Sequence, residues 1–234
     1  MVGFSFWADS IDSRVYLTRS IFKIIIERRS MRVLTISLLL SSLLMAKNCT
    51  YKTYAWNVNL KSAVDFKKVV HSYDLVTSLE RDEASGCTVC LEDQQEIRLP
   101  NIIPFKVCKY KALEIEGIIM DAIHAGKEIQ SVIGYRVGLT RGTVDSKGSR
   151  TEFSNHSFGI AVDINPQYNG LYDHCKEFSP SCRLRKGGHW HPTHPKSLHK
   201  EDMIVKNFHA HGFQWGGEIY GWQKDFMHFS PTGY

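Results

Sequence analysis

The chain has 234 residues, 43% hydrophobic and 23% charged, which suits one domain with a real core plus extensions and excludes a low-complexity or largely disordered chain. The formal net charge of +5 is concentrated at the front: residues 1–46 hold six Lys/Arg and three Asp/Glu. The remainder carries 23 basic and 21 acidic residues, a net of +2, too weak a bias to point to nucleic acid.

Residues 33–46 read VLTISLLLSSLLMA, without a charge, and follow Arg28, Arg29 and Arg32. A basic stretch before roughly 14 apolar or small residues is an export-signal pattern and is short for a membrane span. Residues 1–46 are therefore expected to be an upstream segment with a signal peptide or uncleaved signal anchor, and Met31 is an alternative start. Cleavage is expected near Ala46, and any membrane anchoring only through this segment. The predicted location is the periplasm, the cell envelope or the exterior. All six cysteines (Cys49, Cys87, Cys90, Cys108, Cys175, Cys182) lie beyond it, and an even count in an exported chain predicts disulfides. Cys175 and Cys182 bracket a Ser-Pro-Ser turn and are the best local pair. Cys87 and Cys90 have the spacing of a redox or zinc half-site, but no second such pair accompanies them.

Residues 47–110 mix short apolar runs with polar turns. They read as an N-terminal subregion, packed on the main domain or partly independent. In the expected main domain, 111–234, Leu113, Ile115, Ile118, Ile119, Ala122 and Ile123 fall at helical spacing up to a break at Gly126. Residues 129–135 read as a strand, 141–150 as a polar loop, 160–164 as a second strand and 167–198 as a long excursion. Residues 201–211 look helical, with Gly212 as a stop, and 226–229 form a last strand. Short strands mixed with helices, without a βαβ rhythm, predict an α+β fold with a small antiparallel sheet flanked by helices.

The chemistry is concentrated in Ser154-Asn155-His156-Ser157-Phe158-Gly159-Ile160-Ala161-Val162-Asp163. On a strand, Ile160, Val162 and Ile164 point to one face and Ala161, Asp163 and Asn165 to the other. The first set suits a core; the second puts a carboxylate on an open face. Gly159 lets His156 fold back towards Asp163. Catalytic zinc takes three protein ligands and keeps a fourth position for water, and His228 is the third candidate. Asp225, three residues before His228, is a candidate general base. Positions 225 and 228 would face opposite sides of one ideal strand, so Asp225 is expected in a turn or at a bulge. A separate group, His189, His191, His194 and His199, sits among prolines and reads as a surface or cleft-rim loop.

These residues resemble the zinc D-Ala-D-Ala carboxypeptidase and L-alanyl-D-glutamate endopeptidase family, with its VanY-type carboxypeptidases and several phage endolysins. The signature SxHxxGxAxD is matched by Ser154, His156, Gly159, Ala161 and Asp163, and the later D/ExxH by Asp225 and His228. Gly134-Tyr135-Arg136 is similar to the family's G-Y-R, and the run from Gly212 to Gly217 to the G-F-x-W-G-G of the endolysin-like branch. Met227 departs from that branch's common Pro, and Glu218 stands where it often has Asp.

The resemblance implies a hedgehog/DD-peptidase-like fold with the zinc site on the open sheet face. It implies Zn2+ held by His156, Asp163 and His228, Asp225 as general base, and Arg136 on the substrate carbonyl or developing oxyanion. Ser154 would help line the site. Apart from the resemblance, Trp190, Trp215 and Trp222 read as contacts for glycan or peptide or equally as aromatic core residues, and Trp215 is the one expected on the substrate. The expected partner is a peptidoglycan stem peptide, cut by a DD-carboxypeptidase or by an L-Ala-D-Glu-type endopeptidase. The alternative is a non-catalytic zinc-containing binding module of the envelope on the same fold.

Overall fold

In a computed structural model, residues 47–234 are described; the expected export segment lies outside them. Among the described residues no helix is long and apolar enough to cross a membrane. Residues 47–234 form one compact unit. Two long strands open it, β1 (Asn48–Asn57) and β2 (Ser62–Ser72), paired antiparallel. Along β1 buried and exposed side chains alternate strictly, with Cys49, Tyr51, Thr53, Ala55 and Asn57 inward, as a strand buried on one face requires. Two further short pairs follow: β3 (Arg81–Asp82) with β4 (Cys87–Thr88), and β5 (Gln94–Ile97) with β6 (Phe105–Cys108).

Helix α1 (Ala112–His124) buries Ala112, Ile115, Ile118, Ile119 and Ala122, an apolar stripe at helical spacing. Leu113, expected in that stripe, faces solvent at 80% exposure, and Ala112 takes the inward place. The core then runs across position 110. Ile97, Leu99, Ile102, Phe105 and Val107 pack in one cluster with the α1 stripe, Val162, Ile164 and Phe229. Helix α2 (Met203–Ala210) closes it with Ile204, Val205 and Phe208, and Phe208 stacks on Phe229 with ring centroids 4.3 Å apart.

The fold is α+β, with small, mainly antiparallel sheets and two helices among the described residues. The central sheet orders β13 (Gln214–Trp215), β15 (His228–Ser230), β10 (Val162–Ile164) and β7 (Val132–Ile133), all antiparallel. A second sheet sets β12 (Arg183–Lys186), β11 (Leu171–Asp173) and β14 (Gln223–Asp225) side by side.

The polar loop expected over 141–150 is instead most of a hairpin, β8 (Leu139–Val144) and β9 (Arg150–Phe153). Its turn is held by the Asp145 carboxylate, which accepts from Lys147 N at 2.9 Å and Ser149 N at 2.8 Å. The pairing has two irregularities, so polar residues do not alternate cleanly along it, and that hid the strands in the sequence. β8 also touches β1, in parallel at Ala55–Leu139, joining the first hairpin to the same sheet.

All six cysteines are paired: Cys49–Cys90, Cys87–Cys108 and Cys175–Cys182. The local pair is the one expected; Cys87 and Cys90 join different partners. Cys49–Cys90 ties β1 to the segment before β5 across a sequence separation of 41. Thiol titration of denatured, unreduced protein is expected to find no free thiol. Replacing Cys49 and Cys90 with Ser is expected to lower stability by about 2–5 kcal/mol, read by denaturant unfolding. Six reactive thiols in the native protein would contradict this pairing.

A candidate metal centre

β10 and β15 are neighbours in the central sheet, and their register sets Asp163 opposite His228. His156 comes from a single 3-10 turn, Asn155–Phe158, ended by Gly159 in the left-handed region at φ +70°. A Cβ at Gly159 would stand 2.1 Å from Gln94 Oε1 and 2.4 Å from the Cys108 amide nitrogen. Glycine is thus required twice, by its φ and by the close approach of β6, and the turn throws His156 back over Asp163.

Three donor atoms converge. His156 Nε2 lies 3.0 Å from Asp163 Oδ1, His228 Nδ1 lies 2.9 Å from the same oxygen, and the two ring nitrogens are 3.2 Å apart. The three residues are buried, at 3%, 2% and 5% exposure, so the face expected to be open is enclosed. His156 Nδ1 donates to the Gly134 carbonyl at 2.8 Å, which fixes the proton there and turns the Nε2 lone pair inward. A Cβ at Gly134 would stand 2.1 Å from the Lys106 carbonyl oxygen, so the residue that accepts this bond must be glycine.

Burial lowers the His156 pKa despite the neighbouring Asp163, favouring the neutral ring. Burial alone would raise Asp163, but the charges and hydrogen bonds of His156 and His228 hold its carboxyl well below the usual range. A neutral His156 then points its lone pair at a carboxylate oxygen, a contact that one proton on His228 Nδ1, shared between the two acceptors, relieves only in part. A cation among the three atoms does relieve it. Two imidazole nitrogens and a carboxylate oxygen are zinc donors, and bonds of about 2.0–2.1 Å in a tetrahedron separate ligand atoms by roughly 3.3 Å. The observed 2.9–3.2 Å separations fit. A second grouping, Cys49, His71 and Glu80, is closed to metal because the Cys49 sulfur is bonded to Cys90.

Asp225 ends β14, in a different sheet from His228, which resolves the conflict between positions 225 and 228. Gly216 is clamped between the two residues: its N–H donates to the His228 carbonyl at 2.8 Å and its carbonyl accepts from Asp225 N at 2.9 Å. A Cβ at Gly216 would stand 2.3 Å from the Asp225 carbonyl oxygen. The Asp225 Oδ1 is fully enclosed, with no hydrogen-bond partner among the described residues. Burial, reinforced by the charge of Asp163 and opposed by His228, Lys186 and Arg136, raises this carboxyl to about 6. A general base works best when poised near the operating pH.

The other expected residues are placed differently. Arg136 Nη2 donates to Asp163 Oδ2 at 3.0 Å, so this guanidinium braces a candidate ligand, and among the described residues its remaining N–H groups have no side-chain partner. Ser154 is buried, with its hydroxyl 3.2 Å from that of Ser157, at the base of the His156 turn rather than among the three donors. Trp215 was expected on the substrate. It is 3% exposed, and its indole N–H donates to the Phe226 carbonyl at 2.8 Å, so it is a core residue. The four loop histidines do not converge: His194 stacks on Tyr168, and His199 packs on Trp190. Arg141, read as the start of a loop, lies on β8 within the electrostatic field of Asp225. No local motif marks it, since only the β8–β9 pairing brings it there.

Residues 147–231 match the family model described as D-alanyl-D-alanine carboxypeptidase. Over this span the chain is similar to that peptidase family. The matched span holds both halves of the peptidase signature, from Ser154 to His228, while Gly134, Tyr135 and Arg136 precede it. Comparison with curated proteins and with solved structures gives no match.

Proposed function

We propose that the protein is a zinc-dependent peptidase that hydrolyses peptide bonds in the stem peptides of peptidoglycan, as a DD-carboxypeptidase or an L-Ala-D-Glu-type endopeptidase. The observation that carries the reading is the enclosed triangle of His156, Asp163 and His228 with the unpaired Asp225 carboxyl beside it. Zinc held there supplies Lewis acidity towards the scissile carbonyl and the attacking water. Asp225 accepts the proton of that water and returns it to the leaving amine. Arg136 holds Asp163 in place and turns its remaining N–H groups to the negative charge growing on the carbonyl oxygen.

A non-catalytic binding module on the same fold would have a use for Arg136 as a brace on Asp163 but none for a carboxyl kept unpaired at a cost in desolvation, so catalysis is favoured. The three disulfides suit an oxidising compartment, which supports export. The near-neutral balance of residues 47–234 gives no support for a nucleic-acid partner. The test is metal content together with mass analysis of the products of purified peptidoglycan. Loss of a terminal D-Ala identifies the carboxypeptidase; release of stem peptides cut after L-Ala identifies the endopeptidase. Metal-loaded protein that leaves peptidoglycan intact sinks the reading.

A further inference from the structure

Arg141 is a half-buried cation near the metal centre that has no hydrogen-bonded or ionic partner among the described residues. Arg136, by contrast, is paired with Asp163. The Arg141 guanidinium carbon stands 5.8 Å from the centre of the Tyr234 ring. That ring is fixed beside the centre: Asn155, next to the candidate ligand His156, donates through Nδ2 to the Tyr234 carbonyl at 2.8 Å and to Thr232 Oγ1 at 3.0 Å. The Tyr234 hydroxyl in turn donates to the Tyr220 carbonyl. Arg141 also feels the charge of Asp225 without pairing with it. A half-buried cation that forgoes solvent and has no counter-ion carries a desolvation cost, which an arriving anion offsets. The planar guanidinium fork matches a carboxylate through two parallel N–H···O bonds.

We infer that Arg141 is a specificity-determining residue that binds a carboxylate of the substrate peptide, with the Tyr234 ring as one wall of that subsite. The inference rests on the stem-peptide reading above and names the group by which that substrate is recognised. In a stem peptide with Lys at the third position the carboxylate has two sources: the C-terminal carboxyl, or the free carboxyl of an internal γ-linked D-Glu. The first puts Arg141 beyond a terminal scissile bond, the second beside an internal one.

The probes are L-Ala-γ-D-Glu-L-Lys-D-Ala-D-Ala, the same peptide with a C-terminal amide, and the same peptide with the D-Glu carboxyl as an amide. KM and kcat are measured on the zinc-loaded full chain and on its Arg141→Gln and Arg141→Lys variants. Dissociation constants are measured by calorimetry in an Asp225→Asn background, where turnover does not interfere. Amidating the recognised carboxyl is expected to weaken binding to the parent about 10- to 100-fold, the worth of one charge-assisted pair. Arg141→Gln is expected to weaken the fully acidic peptide by the same factor and to abolish discrimination against the corresponding amide, with the change in KM rather than kcat. Arg141→Lys is expected to restore part of the discrimination, and it decides the matter if the Gln variant melts early. Discrimination retained in Arg141→Gln, or equal loss on all three peptides, overturns the inference while leaving the peptidase reading standing. Discrimination in binding without turnover by the parent overturns the peptidase reading and leaves Arg141 as a carboxylate site. Failure of all three peptides to bind or be cleaved overturns both.

Discussion

Replacing Asp225 with Ala is expected to leave zinc bound and the fold intact while lowering turnover of peptidoglycan by about 10²–10⁴. Asp225 donates to Gly216 through its backbone, a bond that Ala keeps. Its enclosed Oδ1 makes no hydrogen bond among the described residues, so deleting the carboxyl removes no structural contact there. Burial without a partner costs free energy, so the Ala variant is expected to be no less stable than the parent. Asp225→Asn is expected to be nearly as inactive as the Ala variant, because an amide does not accept the proton of the attacking water. Asp225→Glu keeps the chemistry and is expected to retain part of the rate. If Asp225 only orients His228, its removal weakens metal affinity instead. Zinc occupancy and turnover measured on one sample separate these outcomes, and a zinc-loaded Asp225→Ala protein with near-parental turnover would place the base elsewhere.

The second large effect is loss of the metal. About one zinc per chain is expected in the parent, and His156→Ala or His228→Ala should each bring the content close to zero and abolish activity. Each removes one of three donors, and the survivors, Asp163 with one imidazole, leave an incomplete set. His156→Ala also strips the Gly134 carbonyl of the donor it has at 2.8 Å, so this variant is expected to melt below His228→Ala, whose Nε2 has no partner among the described residues. A chelator is expected to silence the parent, and added zinc to restore it. Metal analysis after gel filtration is the measurement; full retention in both variants would mean that the triangle is not the site.

The signature residues were legible because their spacing is chemical. A His thrown back by a glycine turn onto a strand Asp leaves its mark in adjacent residues, and His228 is found by its fixed offset from Asp225. The α1 stripe was legible because its apolar residues recur with the helical period. Much of the rest is fixed by contacts between distant segments. Residues 47–110 bury their apolar side chains against α1 and β10 and are stapled by Cys49–Cys90 and Cys87–Cys108, pairings that sequence alone leaves among 15 combinations. Trp215 reads as a candidate substrate contact in any aromatic-rich motif, and only its 3% exposure and its bond to Phe226 show a core residue. The glycines of the G-Y-R and G-F-x-W-G-G matches stand in the sequence only as a pattern, yet Gly134 and Gly216 are demanded by carbonyl oxygens 2.1 and 2.3 Å from where a Cβ would be.

The clamp at Gly216 separates what must stay fixed from what is free to vary. Backbone bonds to Asp225 and His228 close the chain on itself at that glycine, and β14 is pinned independently along β11. Residues 217–222 leave and rejoin that closed base with Tyr220 at 91% and Trp222 at 71% exposure, tacked down by the buried Ile219, by the Tyr234 hydroxyl on the Tyr220 carbonyl and by Cys175 N on the Trp222 carbonyl at 3.0 Å. Doubling the length of such a loop costs only about 0.6 kcal/mol in closure entropy. A longer or differently charged run between Gly216 and Gln223 therefore changes the surface that Tyr220 and Trp222 present, at the cost of the bonds that Tyr234 and Cys175 make to it, while the strands beneath keep the spacing of base and ligands.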